Sequence, residues 1–169
     1  IALLFFLLSL VPGMAFGQAP AVYFTDNFEN GLVNWLVSGS DWALTQTTSR
    51  SGGSSVTDSP SGNYLPNAEA VMLLKNSIDL SNSVAPVLTF WHKIDVPDGR
   101  DYGYVEVSKD GGTTWTTATD YYSTTISTWS FVQIDLSSYK SLSVKVRFRL
   151  RADSDATVGG GWYIDDMEI

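Results

Sequence analysis

The stretch VLTFWHKI (residues 87–94) decides the fold. Successive side chains of a strand point to opposite faces, so Leu88, Phe90 and His92 share one face of this segment. The same two-residue period runs through YGYVEVS (102–108), where Tyr104, Glu106 and Ser108 oppose Gly103, Val105 and Val107. It returns in FVQIDL (131–136) and in SVKVRFRL (143–150). In the latter, Val144, Val146, Phe148 and Leu150 are expected to face inward, with Lys145, Arg147, Arg149 and Arg151 lining the other side. Shorter strands are expected at 22–24, 35–37, 42–45, 55–57, 69–74, 76–80, 114–117 and 161–169, separated by turns rich in Gly, Asn, Asp and Ser. No convincing amphipathic helix appears. Roughly nine or ten strands at spacings of about 8–15 residues predict an all-β, two-sheet antiparallel sandwich, with a jelly roll as the first choice. Residues 49–63 read as a long functional loop around the short strand 55–57, inside one domain.

Working outward, the chain has 169 residues, 44% of them hydrophobic, which suits one domain with a core of its own and excludes a disordered tail. Its first residues, IALLFFLLSL, are followed by Pro12-Gly13 and by Ala15-Phe16-Gly17. An apolar run, a helix breaker and a small-x-small site read as a secretory signal peptide over residues 1–17, cut after Gly17. The breaker arrives before the roughly 20 apolar residues that a membrane span needs. The basic segment and initial Met expected of such a signal are missing, so we expect a signal truncated at its N-terminus. Residues 18–169 are then the sandwich domain, expected to be part of a longer protein. A net charge of −8 argues against nucleic acid or an anionic membrane as partner.

Motifs for catalysis are absent from the sequence. It has one histidine, no cysteine, no His-Glu-x-x-His and no Gly-x-Ser-x-Gly elbow. His92 reads as a packed or partly exposed strand residue, and nothing singles out a carboxylate pair for glycoside hydrolysis. The chain is therefore expected not to be an enzyme. Residues 108–115, SKDGGTTW, have the form of an Asp-box hairpin, with Gly111 and Gly112 supplying positive φ, Asp110 accepting from turn amides and Trp115 packing over the turn. The motif occurs in sialidase propellers, but a propeller needs several copies and one is present.

Exported folds without disulfides often use a metal as a staple. Ca²⁺ takes about six to eight oxygen ligands, and the acids suited to it lie at Asp26 and Glu29, at Asp58, and at Asp165-Asp166. In an extended strand Asp165 and Asp166 point to opposite faces, so one of them is expected inward. A sandwich that pairs its first and last strands would bring Glu29 to that aspartate. Solvated turn acids are the plain alternative. For sugar binding, Trp129 with Tyr121 and Tyr122 forms the expected exposed set, while most other aromatics sit in alternating strands where core packing is the default.

Several segments taken in order resemble one family: Asp26-Asn27-Phe28-Glu29-Asn30-Gly31 with Trp35, residues 57–64 (TDSPSGNY), Ser77-Ile78-Asp79-Leu80, Leu88-Thr89-Phe90-Trp91-His92, residues 101–108, and Gly161-Trp162-Tyr163-Ile164-Asp165-Asp166. The set is similar to the MAM-like jelly-roll domain that accompanies immune inhibitor A metallopeptidases. The resemblance implies a jelly roll, a structural calcium, and a role in substrate or surface binding within a larger secreted protein. It implies no peptidase activity here, because the zinc motif of the catalytic domain is absent. Carried over residue by residue, the metal ligands would be Glu29 and Asp165, then Asp58 and Asp166. Carbonyls of residues 51–54 would complete the shell, and Asp101 is an outside candidate. The module directly follows the signal, which leaves adhesins and other surface proteins open as its parents. Implied partners are an extracellular protein or glycan surface and flanking domains of the same polypeptide.

Overall fold

In the computed structural model, residues 21–39, 42–96, 99–120 and 122–169 are described. The expected signal, residues 1–17, lies outside them, as does Tyr121. The strands among the described residues are β1 (Thr25–Asp26), β2 (Trp35–Gly39), β3 (Ala43–Thr45), β4 (Ser55–Thr57), β5 (Glu69–Leu74), β6 (Val87–Asp95), β7 (Tyr102–Ser108), β8 (Thr116–Thr117), β9 (Thr125–Asp135), β10 (Lys145–Arg151) and β11 (Gly161–Glu168). They form two sheets. One runs β3-β4-β11-β6-β9, with β1 beside β11, and the other runs β2-β5-β10-β7-β8. The pairings are antiparallel, and the two sheets close a jelly-roll sandwich.

Each sheet turns one face of its alternating strands inward. Leu88, Phe90, His92 and Ile94 of β6 are buried, as are Val146, Phe148 and Leu150 of β10. The layers meet where the Phe148 ring stands edge-on to Phe90 at 5.1 Å and to Trp162 at 5.6 Å. Burial of each such side chain stabilises the fold by about 1.5–3 kcal/mol. Across the second sheet's outer face, Glu106 accepts from Arg147 Nε at 2.7 Å and from Arg149 Nε at 3.0 Å, so the basic row of β10 is partly neutralised by its neighbour strand.

Four strand expectations change. The strand expected at 22–24 is replaced by β1 at Thr25–Asp26, because the amides of Tyr23 and Phe24 both turn to the one Ile169 carbonyl. Residues 76–80 form no strand and touch Val144 through an isolated bridge at Ile78, because Asp79 accepts the Ser81 amide and turns the chain instead. The expected strand 114–117 shortens to β8, since Thr113 and Thr114 are held in the preceding turn by Asp110. The expected strand 131–136 extends back to Thr125, where Ser and Thr hide the apolar alternation and pairing with β6 supplies the order.

Candidate functional site

Three of the expected acids meet on one loop, residues 49–54, just before β4. Glu29 reaches it from the turn after β1, and its Oε1 accepts the amides of Gly53 (3.0 Å) and Ser54 (2.7 Å). Asp165 of β11 is fully buried, and its Oδ2 accepts the amides of Arg50 (2.6 Å) and Ser51 (3.2 Å). Asp166 accepts the Ser51 hydroxyl at 2.6 Å. Strict alternation would have sent the two aspartates to opposite faces. Instead the backbone at Asp166 adopts φ 47° and the register with β6 slips between Asp165 and Glu168. This β-bulge aims both carboxylates at the same loop. Burial pushes the Asp165 carboxyl up, and the amides of Arg50, Ser51 and Asp166 pull against it.

The other candidates lie elsewhere. Asp58 follows β4, at the opposite end of that strand from the loop. Its Oδ1 accepts the Trp162 amide at 2.6 Å and its Oδ2 the Ser59 hydroxyl at 2.9 Å. Burial raises its pKa to about 6. Asp101 is taken up by the Tyr64 hydroxyl (2.8 Å) and the Asp153 amide (2.8 Å). Asp26 serves Phe28, Asn34 and the Trp35 indole, which ties β1 to β2. The loop's donor set is all oxygen and suits a hard cation such as Ca²⁺. Its carboxylates are nevertheless hydrogen-bonded to amides and a hydroxyl. Among the described residues no group of three or more His, Cys, Asp or Glu side chains is placed to hold a metal ion. The arrangement is an amide-clamped loop.

What the clamp positions is Arg50. Its guanidinium carbon lies 4.1 Å from the ring centre of Trp91, on the outer face of the first sheet. Trp91 stands opposite Phe131 across the β6–β9 pairing, with ring centres 5.4 Å apart, and Phe131 is 53% exposed. One pair of residues along, Lys93 lies opposite Tyr163. Its ammonium is 5.9 Å from the Tyr163 ring and 6.0 Å from Trp129, which a second register shift, between His92 and Ile94, brings over the strand. The result is a strip of four aromatic rings, Phe131 exposed and Trp91, Trp129 and Tyr163 half-buried, interleaved with two cations.

Trp129 was expected in an exposed set with Tyr121 and Tyr122, but Tyr122 turns inward. Its ring lies 4.9 Å from His92 and 5.3 Å from Trp162, and its backbone bridges to Gly103. Of the strip's other members, Trp91 is among the strand aromatics that could stack on sugars but for which core packing is the default, and Phe131, Tyr163, Lys93 and Arg50 belong to no expected binding set. Alternation did carry a signal for two of them, because Trp91 and Lys93 fall on the side of β6 opposite its buried Phe90 and His92.

The two local motifs are structural. In the Asp-box hairpin Asp110 accepts the Thr113 and Thr114 amides at 3.0 and 2.9 Å and the Thr114 hydroxyl at 2.6 Å. The Trp115 indole donates to Gly112 O at 3.1 Å and lies under Arg147. Gly111 and Gly112 hold φ values of 74° and 101°, which the turn requires. His92 is buried, its Nδ1 accepts the Trp162 indole N–H at 3.1 Å, and burial lowers its pKa to about 4. It is a neutral core residue at pH 7, with no nucleophile among its partners.

Comparison with known proteins places this geometry. A family model described as Reelin subrepeat B matches residues 64–169. Bacillopeptidase F of Bacillus subtilis (strain 168) is 33% identical over 155 residues, covering 86% of this chain and 10% of the relative, so the chain spans about a tenth of that protein's length. Among solved structures, the K2 cleaved adhesin domain of Lys-gingipain superposes with a TM-score of 0.59 at 15% identity, covering 86% of this chain and 97% of that one. TmCBM61 in complex with β-1,4-galactotriose superposes at 0.58 and 18% identity, over 88% and 97%. The CBM22-1 xylan-binding domain of Paenibacillus barcinonensis Xyn10C gives 0.56 at 16% identity, over 89% and 94%. At these identities the likeness is one of fold.

Proposed function

We propose, from the premise that this chain belongs to the Reelin subrepeat B family, that it is a non-catalytic extracellular accessory module that gives a larger secreted protein its grip on a glycan surface. The observation that carries this reading is the outward aromatic strip of Trp91, Phe131, Trp129 and Tyr163 on a sheet whose other face is fully packed. Rings of this kind cover the apolar faces of sugars, and contiguous exposed aromatic surface marks a binding site. The setting supports it. The relative with 33% identity is about ten times the chain's length and is named as a peptidase, and fold neighbours include an adhesin domain and two glycan-binding modules. The relation to MAM-like domains of immune inhibitor A belongs to the same proposal and rests on the motifs alone. Among the described residues no helix is long and apolar enough to cross a membrane. A glycan array probed with the chain should give hits that Trp129→Ala weakens at least about tenfold, the loss expected for removing a well-packed aromatic contact. A blank array, with the melting curve showing a folded protein, would overturn the proposal.

We also propose that Ca²⁺ reinforces the 49–54 loop, on donor chemistry alone, through Glu29 and Asp165 with Asp166. Asp58 is left out because it sits beyond the far end of β4. Calcium bound to the folded state should raise the melting temperature by several degrees, an effect Glu29→Ala should remove. Identical melts in calcium and in chelator would dispose of the metal and leave the amide clamp.

A further inference from the structure

We infer that the ligand of the aromatic strip is an acidic oligosaccharide, a chain bearing uronate carboxylates. This rests on the glycan-binding reading above and narrows it. The strip does not consist of rings alone. Lys93 stands between Tyr163 and Trp129, and the Arg50 guanidinium carbon lies 4.1 Å from the Trp91 ring centre, so each cation sits among the rings of the strip. Neither makes an ion pair among the described residues, whereas Arg100, Arg147 and Arg149 all do. Lys75, Lys109, Lys140, Lys145 and Arg151 also make none, so what sets Lys93 and Arg50 apart is their place among the rings.

The acids nearest the strip are taken up by other groups. Asp165 is beneath the 49–54 loop, occupied by the amides that hold Arg50 in place. Asp166 accepts from Ser51. Asp95, at the end of β6, accepts the Thr125 hydroxyl and the Gly160 amide. Tyr163 and the β9 residues lie on strands either side of β6, two strand spacings or roughly 10 Å apart, about the span of a disaccharide. A chain crossing the strands would lay sugar faces on the rings and bring carboxylates to Lys93 and Arg50. Guanidinium and ammonium groups make stronger hydrogen bonds to carboxylate than to neutral hydroxyls.

The test is calorimetric titration of the chain, at physiological ionic strength, with an oligogalacturonate and with a neutral β-1,4-galactose oligomer of the same length. Poly-glutamate serves as a third ligand. The oligogalacturonate should bind roughly tenfold or more tightly than the neutral oligomer, the gain expected of a hydrogen bond to a charged group. Lys93→Gln and Arg50→Gln should remove that preference, bringing the affinities for the two sugars together. Trp129→Ala should weaken both sugars. Equal affinity for the two sugars, or preference for the neutral one, overturns this inference and leaves the glycan reading standing. Binding of neither sugar overturns this inference, while the glycan reading falls only with a blank array. Poly-glutamate binding as tight as the oligogalacturonate would make charge alone the determinant and overturn the assignment to a sugar.

Discussion

His92 and Asp58 are both buried, and burial moves their pKa values in opposite senses, to about 4 and about 6. The unfolded chain protonates His92 near pH 6.5 and the folded chain only near 4. Stability from this group is therefore present above pH 6.5 and lost as pH falls through that window, by about 3 kcal/mol. The raised carboxyl of Asp58 works the other way. Its contribution is fully present below the unfolded value of 3.8 and lost as pH rises through about 6, again by about 3 kcal/mol. Between pH 4 and 6 the two slopes offset each other, and the intact protein should show a shallow profile. Asp58→Asn keeps an acceptor for the Trp162 amide and removes one slope. It should raise stability at pH 7 by about 1–3 kcal/mol and uncover the loss due to His92 on acidification. Urea unfolding at several pH values measures this, and a variant with the parent's profile would contradict the assignment. That His92 is a packed strand residue was readable from its place beside Phe90, but its depressed pKa depends on Trp162 and Tyr122, far away in the chain.

At the scale of elements, the hairpin and the clamp differ in how far their contacts reach. The Asp110 hydrogen bonds span no more than four residues, so the motif alone specified the turn. Asp110→Ala should lower the melting temperature measurably and leave glycan binding untouched, because the turn lies at the edge of the other sheet. The clamp joins residues 114 and 115 positions apart, and its geometry depends on a bulge that no local pattern announced. Asp165→Asn should cost about 1–3 kcal/mol, since amides that lose a charged acceptor are left with a weaker one. The same variant should speed hydrogen exchange at Arg50 and Ser51 and loosen Arg50 from Trp91. Unchanged exchange at those amides would show that the loop is held by something else.

Across the whole molecule, the family match begins at Tyr64, yet the sandwich does not. β1 to β4 lie before it, and they and the turns between them carry the buried side chains of Phe28, Trp35, Trp42 and Val56. At about 1.5–3 kcal/mol each, these four contribute on the order of 6–12 kcal/mol, comparable to the whole stability of a typical domain. A chain of residues 64–169 should therefore lack a cooperative melt that residues 21–169 show. A sharp transition in the shorter chain would mean that β5 to β11 form a core by themselves.

Two-residue alternation by itself determined the all-β sandwich and most of its strands. Inward and outward sides follow from the pleat, and β6, β7 and β10 carry enough apolar residues on one side to leave no choice. The family resemblance grouped Glu29, Asp165 and Asp166 but set Asp58 with them, and Asp58 lies beyond the far end of β4, held by Trp162 and Ser59. Only the tertiary structure decided where the other aromatics go. A tryptophan or tyrosine on a strand is amphipathic enough for either face, and the layer that packs Tyr122 against His92 and Trp162 while leaving Phe131 exposed is built from distant segments. The two bulges were equally beyond the reach of pattern, because a register slip is a property of two strands and neither strand encodes it alone. Those slips aim Asp166 at the loop and bring Trp129 over Lys93, and with them the exposed face becomes a site.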